Sequence, residues 1–260
     1  MDERKVRERW NDLLEWYEDN DIERALVAFS GGKDSTLVLD SALKAVEEVK
    51  AFIIDDFMYP DWEIEEAISR AEDLGVKYEI IETSKLSNKD LRGNLEDRCY
   101  HCKKELFGSI NEEGTVLEGT NATEAEGHRP GLKAVKEYGR APLLETGMRE
   151  EEIREILKWR GRDVWERPSF ACLASRFPAG RELTEERLER VERIEDKIFD
   201  LDVRQLRVRD FGDTARIEVW PEDMKKLLEN REEILRWFEE EDYDKVFLDL
   251  KGYRTGSISE

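Results

Sequence analysis

Cysteine and histidine are scarce in this chain, three and two among 260 residues. An odd, small number of thiols supports no disulfide framework and fits a reducing compartment. Long apolar runs are missing as well. None approaches the roughly 20 residues that would span a bilayer, so no membrane partner is expected. Basic charge is in deficit: 43 Lys and Arg against 64 Asp and Glu leave a net −21. Neutralising phosphates takes clustered cations, so this balance argues against a nucleic-acid partner, and the acidity reads as a solvated surface. Met1-Asp-Glu-Arg-Lys opens directly into charge, and no secretory leader is expected. These absences together predict a cytoplasmic protein. No internal repeat or low-complexity segment stands out. The apolar share is 39%, but it is periodic, so the chain is globular, with length for one large or two small domains.

What is present begins at Ala25-Leu-Val-Ala-Phe-Ser30-Gly-Gly-Lys-Asp-Ser35. Ala25 to Phe29 fits a buried strand, and the residues from Thr36 on fit a helix. A strand that turns on two glycines into a helix N-terminus makes an anion site. Gly31 and Gly32 let backbone N–H groups approach a phosphate, and the first-turn amides favour negative charge. Ser30 and Ser35 add hydroxyls, Lys33 offers a cation, and Asp34 completes the hexapeptide. The Walker spacing is absent. The hexapeptide resembles the PP-loop of ATP pyrophosphatases, which hold ATP by its β,γ-phosphates, transfer AMP and release pyrophosphate.

Along the chain, residues 4–19 place Val6, Trp10, Leu13, Leu14 and Tyr17 on one helical face. Strands are predicted at 49–55, 76–81 and 115–119, with an amphipathic helix over 62–74 closed by Gly75. Strands alternating with helices imply right-handed crossovers and a parallel, doubly wound α/β sheet. In such sheets ligands sit at the carboxyl ends of the strands. Ser30 to Ser35, Asp55-Asp56 and Gly119-Thr120-Asn121 would gather there. Glu150 to Trp159 reads as a further helix, and 161–180 as a long irregular stretch of the kind that often carries function. A helix starting at Thr184, strands at 205–209 and 215–220, helical residues 222–240 and a strand at 245–250 make a smaller C-terminal α+β domain. The expected boundaries are 1–180 and 181–260.

The cysteines leave two readings open. Cys99-Tyr-His-Cys102 is a Cys-x-x-Cys, which buried structural thiols explain poorly, and Cys172 lies in Phe170-Ala-Cys-Leu-Ala-Ser-Arg176. Cys99, Cys102 and Cys172 could bind zinc with His101 or His128. Alternatively, three thiolates hold a [4Fe-4S] cluster with one iron open. A zinc ribbon usually supplies a second Cys-x-x-Cys, absent here, yet spacing alone leaves zinc and cluster near even.

Taken in order, Ser30 to Ser35, Arg98 to Lys104, Glu118 to Ala122, His128 to Ala134, Pro168 to Arg176, Arg207-Val-Arg209, Ala215 to Val219 and Leu248 to Arg254 run nearly end to end. Together they resemble the LarE family of ATP-dependent sulfur transferases. The resemblance implies a PP-loop, adenine nucleotide alpha hydrolase-like domain and a substrate, pyridinium-3,5-biscarboxylic acid mononucleotide. ATP would adenylate a carboxylate and sulfur would displace AMP to give a thiocarboxylate, for nickel-pincer cofactor biosynthesis. Mg²⁺ is expected with ATP, held by phosphate oxygens and one or two carboxylates. Some relatives sacrifice the thiol matching Cys172. Others, with a Cys-x-x-Cys, hold a [4Fe-4S] cluster through three cysteines and use exogenous sulfide. Cys99 and Cys102 place this chain in the second group, with a sulfide donor as partner.

The resemblance also gives Arg207 and Arg209 a substrate phosphate, and i, i+2 spacing on a strand puts both on one face. A solvated basic edge is the plainer account of them. Ser175 and Arg176 look placed to orient substrate beside Cys172. Glu218 matches a family acid, with an exposed strand residue as the plainer account. Asp55 could face the nucleotide. Thr123-Glu124 departs from the acidic pair expected after Gly-Thr-Asn-Ala, which puts a metal role at 123 in doubt. Relatives form homo-oligomers. A tRNA thiolase is the enzymatic rival, opposed by the charge of −21 and the missing RNA-binding module. A zinc-stabilised nucleotide-binding protein is the non-enzymatic rival, to be separated by metal analysis.

Overall fold

The structure, a computed structural model, describes residues 1–83, 85–126, 130–167 and 171–254. His128 and the segment 168–170, both within motifs quoted above, lie outside the described residues. The chain divides into two compact units, one of residues 1–83 with 97–167, the other of residues 85–96 with 171–254.

The first unit is built on four parallel strands: β1 (Arg24–Ala28), β2 (Glu48–Asp55), β3 (Lys77–Glu82) and β4 (Thr115–Leu117). Their order is β3-β2-β1-β4, so β1 is central and the chain reverses its direction of travel between β1 and β4. Six helices of eight residues or more accompany them: α1 (Glu3–Asp19), α2 (Lys33–Ala45), α3 (Asp61–Asp73), α4 (Arg98–Ser109), α5 (Gly131–Tyr138) and α6 (Glu150–Trp159).

Side-chain alternation on β1 explains why both faces are covered. Ala25 and Val27 join one core with residues of α1, α2, α3 and α6. Leu26 turns the other way, to Phe52 and Ile110, and Phe107 of α4 and Val135 of α5 form a neighbouring cluster with Ala28 and Val116 packed on it. The sheet is doubly wound, as its alternating pattern predicts. On α1 the buried face carries Trp16 in addition to the expected Val6, Trp10, Leu13 and Tyr17, while Leu14 is only half-buried.

The second unit holds α7 (Glu185–Phe199), β5 (Leu206–Asp210), β6 (Thr214–Val219), α8 (Arg231–Glu240) and β7 (Lys245–Leu248). Thr184 caps α7 by accepting the Arg187 amide, as its position before an apolar-periodic run implies. Strand order is β5-β6-β7, antiparallel then parallel. Helical residues 222–240 are broken at Asn230 into Met224–Glu229 and α8. Within the described residues, no helix is long and apolar enough to cross a membrane.

Candidate active site

In the first unit the phosphate loop leaves β1 and enters α2 at the strands' carboxyl end, beside the reversal between β1 and β4 where open α/β sheets take ligands. Gly31 stands at φ +68°, and a Cβ there would lie 2.8 Å from the Ala67 Cα of α3. Only glycine fits both the left-handed backbone and that approach. Gly32 is the N-cap of α2 and supplies no side-chain cap, which leaves the first-turn amides to other acceptors. Ser35 Oγ donates to the Gly32 carbonyl at 3.1 Å and accepts the Ser30 amide at 3.3 Å, with Ser30 Oγ 3.2 Å away. The two serines thus brace the loop.

Beyond β4, Gly119 meets this loop directly: a Cβ on it would lie 2.8 Å from the Ser35 backbone nitrogen. Asn121 Nδ2 donates to Asp34 Oδ1 at 3.0 Å. The structure therefore brings Ser30 to Ser35 and Gly119 to Asn121 together. Burial pushes the Asp34 carboxyl upward, opposed mainly by Lys33. The Lys33 ammonium is covered and lies 3.3 Å from Glu150 Oε1 and 3.6 Å from Asp34 Oδ2. At the end of β2, burial and the charges of Asp61, Glu82 and Asp56 raise the Asp55 carboxyl. Asp56 accepts the Met58 amide at 2.7 Å, a turn-forming contact.

Three further side chains here went unassigned in the sequence. Glu118, buried at the end of β4, accepts the Lys103 ammonium at 2.6 Å and the Thr120 amide at 3.1 Å. Lys103 also donates to Thr120 Oγ1 at 3.0 Å. Lys103 directly follows Cys102, so the helix bearing the Cys-x-x-Cys is tied to the carboxyl end of β4. Glu150 is the third. The signal for the first two was Lys103 and Glu118 standing inside motifs already quoted; for Glu150 the sequence offered none.

Cys99 and Cys102 stand one turn apart on α4, the first exposed and the second half-buried. Cys172, in the second unit, N-caps a 3₁₀ turn over Leu173–Arg176 and is half-buried. None of the three is in a disulfide. Within either unit, no three His, Cys, Asp or Glu among the described residues are gathered as metal ligands. His101 Nε2 lies 3.2 Å from Asp97 Oδ2.

In the second unit, Arg176 is 1% exposed and grips Glu195 of α7 through Nε at 3.0 Å and Nη2 at 2.7 Å. Its Nη1 donates to the Cys172 carbonyl at 3.1 Å, to the Ala171 carbonyl and to Ser175 Oγ at 3.3 Å. Glu195 also accepts the Val208 amide at 2.7 Å, so the turn that presents Cys172 is fastened to α7 and β5.

Arg207 and Arg209 do share one face of β5, but neither forms a solvated edge: they are 1% and 4% exposed. Arg209 gives Nε and Nη2 to Glu218 Oε2 at 3.0 and 2.8 Å, and Nη1 to the Ser175 carbonyl at 2.9 Å. Glu218 is wholly buried rather than an exposed strand residue, and its second oxygen accepts Arg216 at 2.8 Å. The Arg207 guanidinium stands 5.3 Å over the Tyr253 ring. Burial first, then repulsion from Arg176, push its pKa down to about 10. A strand with Arg on one face and Leu206 and Val208 on the other, every residue buried, concentrates positive charge away from water. That is an environment a phosphate would relieve.

Comparison with known proteins agrees in extent with these motifs. Residues 24–104 match the family described as queuosine biosynthesis protein QueC. The chain is 31% identical over 249 residues to pyridinium-3,5-bisthiocarboxylic acid mononucleotide synthase of Lactiplantibacillus plantarum, covering 92% of this chain and 90% of that one. It is 35% identical over 250 residues to an uncharacterized protein of Synechocystis sp., covering 92% and 93%. A shorter match, 45% over 65 residues, joins it to 7-cyano-7-deazaguanine synthase of Bacillus subtilis, over 25% of this chain and 30% of that one.

Proposed function

The chain belongs to the LarE family of ATP-dependent sulfur transferases, and from that premise we propose that it converts the carboxylates of pyridinium-3,5-biscarboxylic acid mononucleotide to thiocarboxylates. The observation that carries the reading is the Gly31-Gly32 turn, which opens the uncapped first turn of α2 against Gly119 at the end of β4.

ATP binds in this reading with its phosphates on the amides of Gly31, Gly32 and the first turn of α2, aided by Ser30 and Ser35. Gly119, Thr120 and Asn121 close the other side, and Asp34 is held by Asn121. Mg²⁺ would accompany the nucleotide, held mainly by phosphate oxygens, with Asp55 as the carboxylate at hand. A substrate carboxylate attacks the α-phosphorus, pyrophosphate leaves, and the acyl adenylate so formed has AMP as its leaving group. Sulfide then adds to the acyl carbon and AMP departs. Activation is needed because a carboxylate by itself is a poor electrophile.

Arg207 and Arg209 receive the mononucleotide phosphate, while Glu218 fixes the Arg209 fork from behind. Arg176 keeps Cys172 and Ser175 in place. The donor chemistry fits an iron–sulfur group: three cysteines, none in a disulfide, two of them one helical turn apart. We propose Cys99, Cys102 and Cys172 as its ligands; such a [4Fe-4S] group would supply an open iron for exogenous sulfide. The same reading makes the protein a cytoplasmic homo-oligomer served by a sulfide donor, extending the family resemblance.

The test is anaerobic turnover with ATP, sulfide and the pyridinium dicarboxylate. Product should gain sulfur in place of oxygen by mass, with one AMP and one pyrophosphate per carboxylate. Pyrophosphate release without that substrate, or with tRNA in its place, would assign the site to another acceptor.

A further inference from the structure

Lysine in the phosphate loop invites assignment as a phosphate ligand, and its surroundings point elsewhere. Only 4% of the Lys33 side chain is exposed. A lysine kept for an incoming anion would hold its ammonium in water until the anion arrives. The Lys33 ammonium instead lies between the carboxylates of Glu150 and Asp34, at 3.3 and 3.6 Å.

Those contacts belong to a closed circuit. Asp34 Oδ1 accepts Asn121 Nδ2 at 3.0 Å, and Asn121 Oδ1 accepts the Glu124 amide at 3.0 Å, capping the short turn Ala122–Ala125. Thr123 within that turn accepts the Glu150 amide on its hydroxyl at 3.1 Å. Glu150 returns to Lys33 and is also held by Arg154 at 3.1 Å. The circuit joins the first turn of α2, the exit of β4 and the first turn of α6. It also gives Thr123 a task suited to a hydroxyl, where an acidic side chain would face Glu150.

We propose that Lys33 and Glu150 form an internal strut beneath the phosphate loop, so that Lys33 is a positioning residue and phosphate recognition rests on backbone amides and the two serines. The inference depends on this loop being the ATP site. The geometry has a direct physical reading. The lysine cation, with Arg154 on Glu150, offsets the charge of Asp34 and Glu150, two carboxylates that would otherwise repel the triphosphate. A phosphate that drew Lys33 away would take from Asp34 its Lys33 charge and leave Glu150 to Arg154.

Two single variants and their combination test this, with the dissociation constant for Mg·ATP read by titration calorimetry and folding read by thermal melts. Under the strut, Glu150→Gln and Lys33→Met each weaken ATP about tenfold, because each strands a partner charge. The double variant falls no further than the worse single, since the two act as a unit. A phosphate-binding lysine gives the opposite pattern: Glu150→Gln frees Lys33 and tightens ATP, Lys33→Met weakens it, and the double variant binds as weakly as Lys33→Met. That pattern, or losses that simply add, overturns the proposal. Should a variant melt below the assay temperature, the titration is run below its Tm, where Glu150→Gln alone decides: weaker ATP binding supports the strut and tighter binding overturns it. Unmodified protein that binds no ATP overturns the parent reading of the loop, and this inference with it.

Discussion

The two loop glycines are adjacent and answer to different constraints, so exchanging them one at a time separates folding from chemistry. Gly31→Ala asks an L-residue to stand at φ +68°, which costs about 1–2 kcal/mol. Its Cβ would also sit 2.8 Å from the Ala67 Cα, a backbone atom within α3 that cannot turn aside. Overpacking of that kind adds about 1–3 kcal/mol. Together the loss is about 2–5 kcal/mol, and at about 2–4 °C per kcal/mol for a chain of this size the Tm should fall on the order of 10 °C. Gly32 has ordinary extended backbone at φ −71°, and its Cβ would meet only Ser30 Oγ, at 3.4 Å. Gly32→Val should therefore melt within a few degrees of the parent, the cost staying near about 1 kcal/mol. Its isopropyl group, however, stands where the backbone must approach phosphate. Substrate-dependent exchange of labelled pyrophosphate into ATP should fall at least about 100-fold, the size of a lost preorganised donor. A Gly32→Val protein that exchanges normally refutes the role of the loop. A Gly31→Ala protein with unchanged Tm refutes its contact with α3.

Three further outcomes are expected. Replacing any of Cys99, Cys102 or Cys172 with Ser should lower the iron content of anaerobically reconstituted protein and stop thiocarboxylate formation, while pyrophosphate exchange continues; zinc at one equivalent with no iron would refute the cluster. Arg207→Gln should lower kcat/KM for the mononucleotide by about 1.5–3 kcal/mol of lost charge-assisted contact, with a smaller Tm loss than Arg209→Ala, which strips a fully buried Glu218 of its bidentate partner; parent-like kinetics in Arg207→Gln would remove it from the substrate site. Asp40 supplies a pH test: burial raises its carboxyl, but hydrogen bonds and charge from Arg160 and Arg162 outweigh that and hold it below the ordinary range. Its stabilisation is then complete above the unfolded pKa of about 3.9 and disappears as pH falls through the lower folded value. The Tm gap between the parent and Asp40→Asn should be widest near neutrality and close in acid; a gap that stays constant with pH would show that the Arg160–Arg162 pairing does not stabilise this carboxylate.

Where burial follows a simple period, the sequence was a sufficient guide. β1, β2 and α6 carry clean apolar patterns, and the observed ends of the first unit's strands differ from the expected ones by two residues at most. The helix carrying Cys99 and Cys102 was not legible, because among its twelve residues only Phe107 is buried, so it has no apolar stripe to betray it. Its order comes instead from its neighbours. Gly131 of α5 packs against the stem of Lys103, where a Cβ would stand 3.2 Å from its Cδ, and Glu118 takes the ammonium. The loop after β1 shows the reverse: its glycines were legible as a tight strand-to-helix turn because the required backbone leaves a chemical trace in residue type. The direction taken by Lys33 was not, since Glu150 is 117 positions away and one acidic residue in a run of three.

The second unit carries the same lesson into energetics. Hydropathy reads Arg207, Arg209, Arg216 and Glu218 as the outer face of a hairpin, and alternation on β5 and β6 reads the same way. Burial of that face depends on pairing that composition does not announce. Cross-strand register sets Arg207 opposite Glu218 and Arg209 opposite Arg216. Arg209 and Arg216 then take separate oxygens of one carboxylate. A carboxylate so satisfied can be buried, whereas Arg176, Arg207 and Arg209, each at most 4% exposed, stand as three buried guanidiniums to the two buried carboxylates of Glu195 and Glu218. Structural need alone would favour apolar residues at such positions, since a buried ion network adds little to stability over a packed core. Retaining the arginines therefore argues for an anion that completes the set. Under the proposed function, the phosphate of the mononucleotide would be that anion.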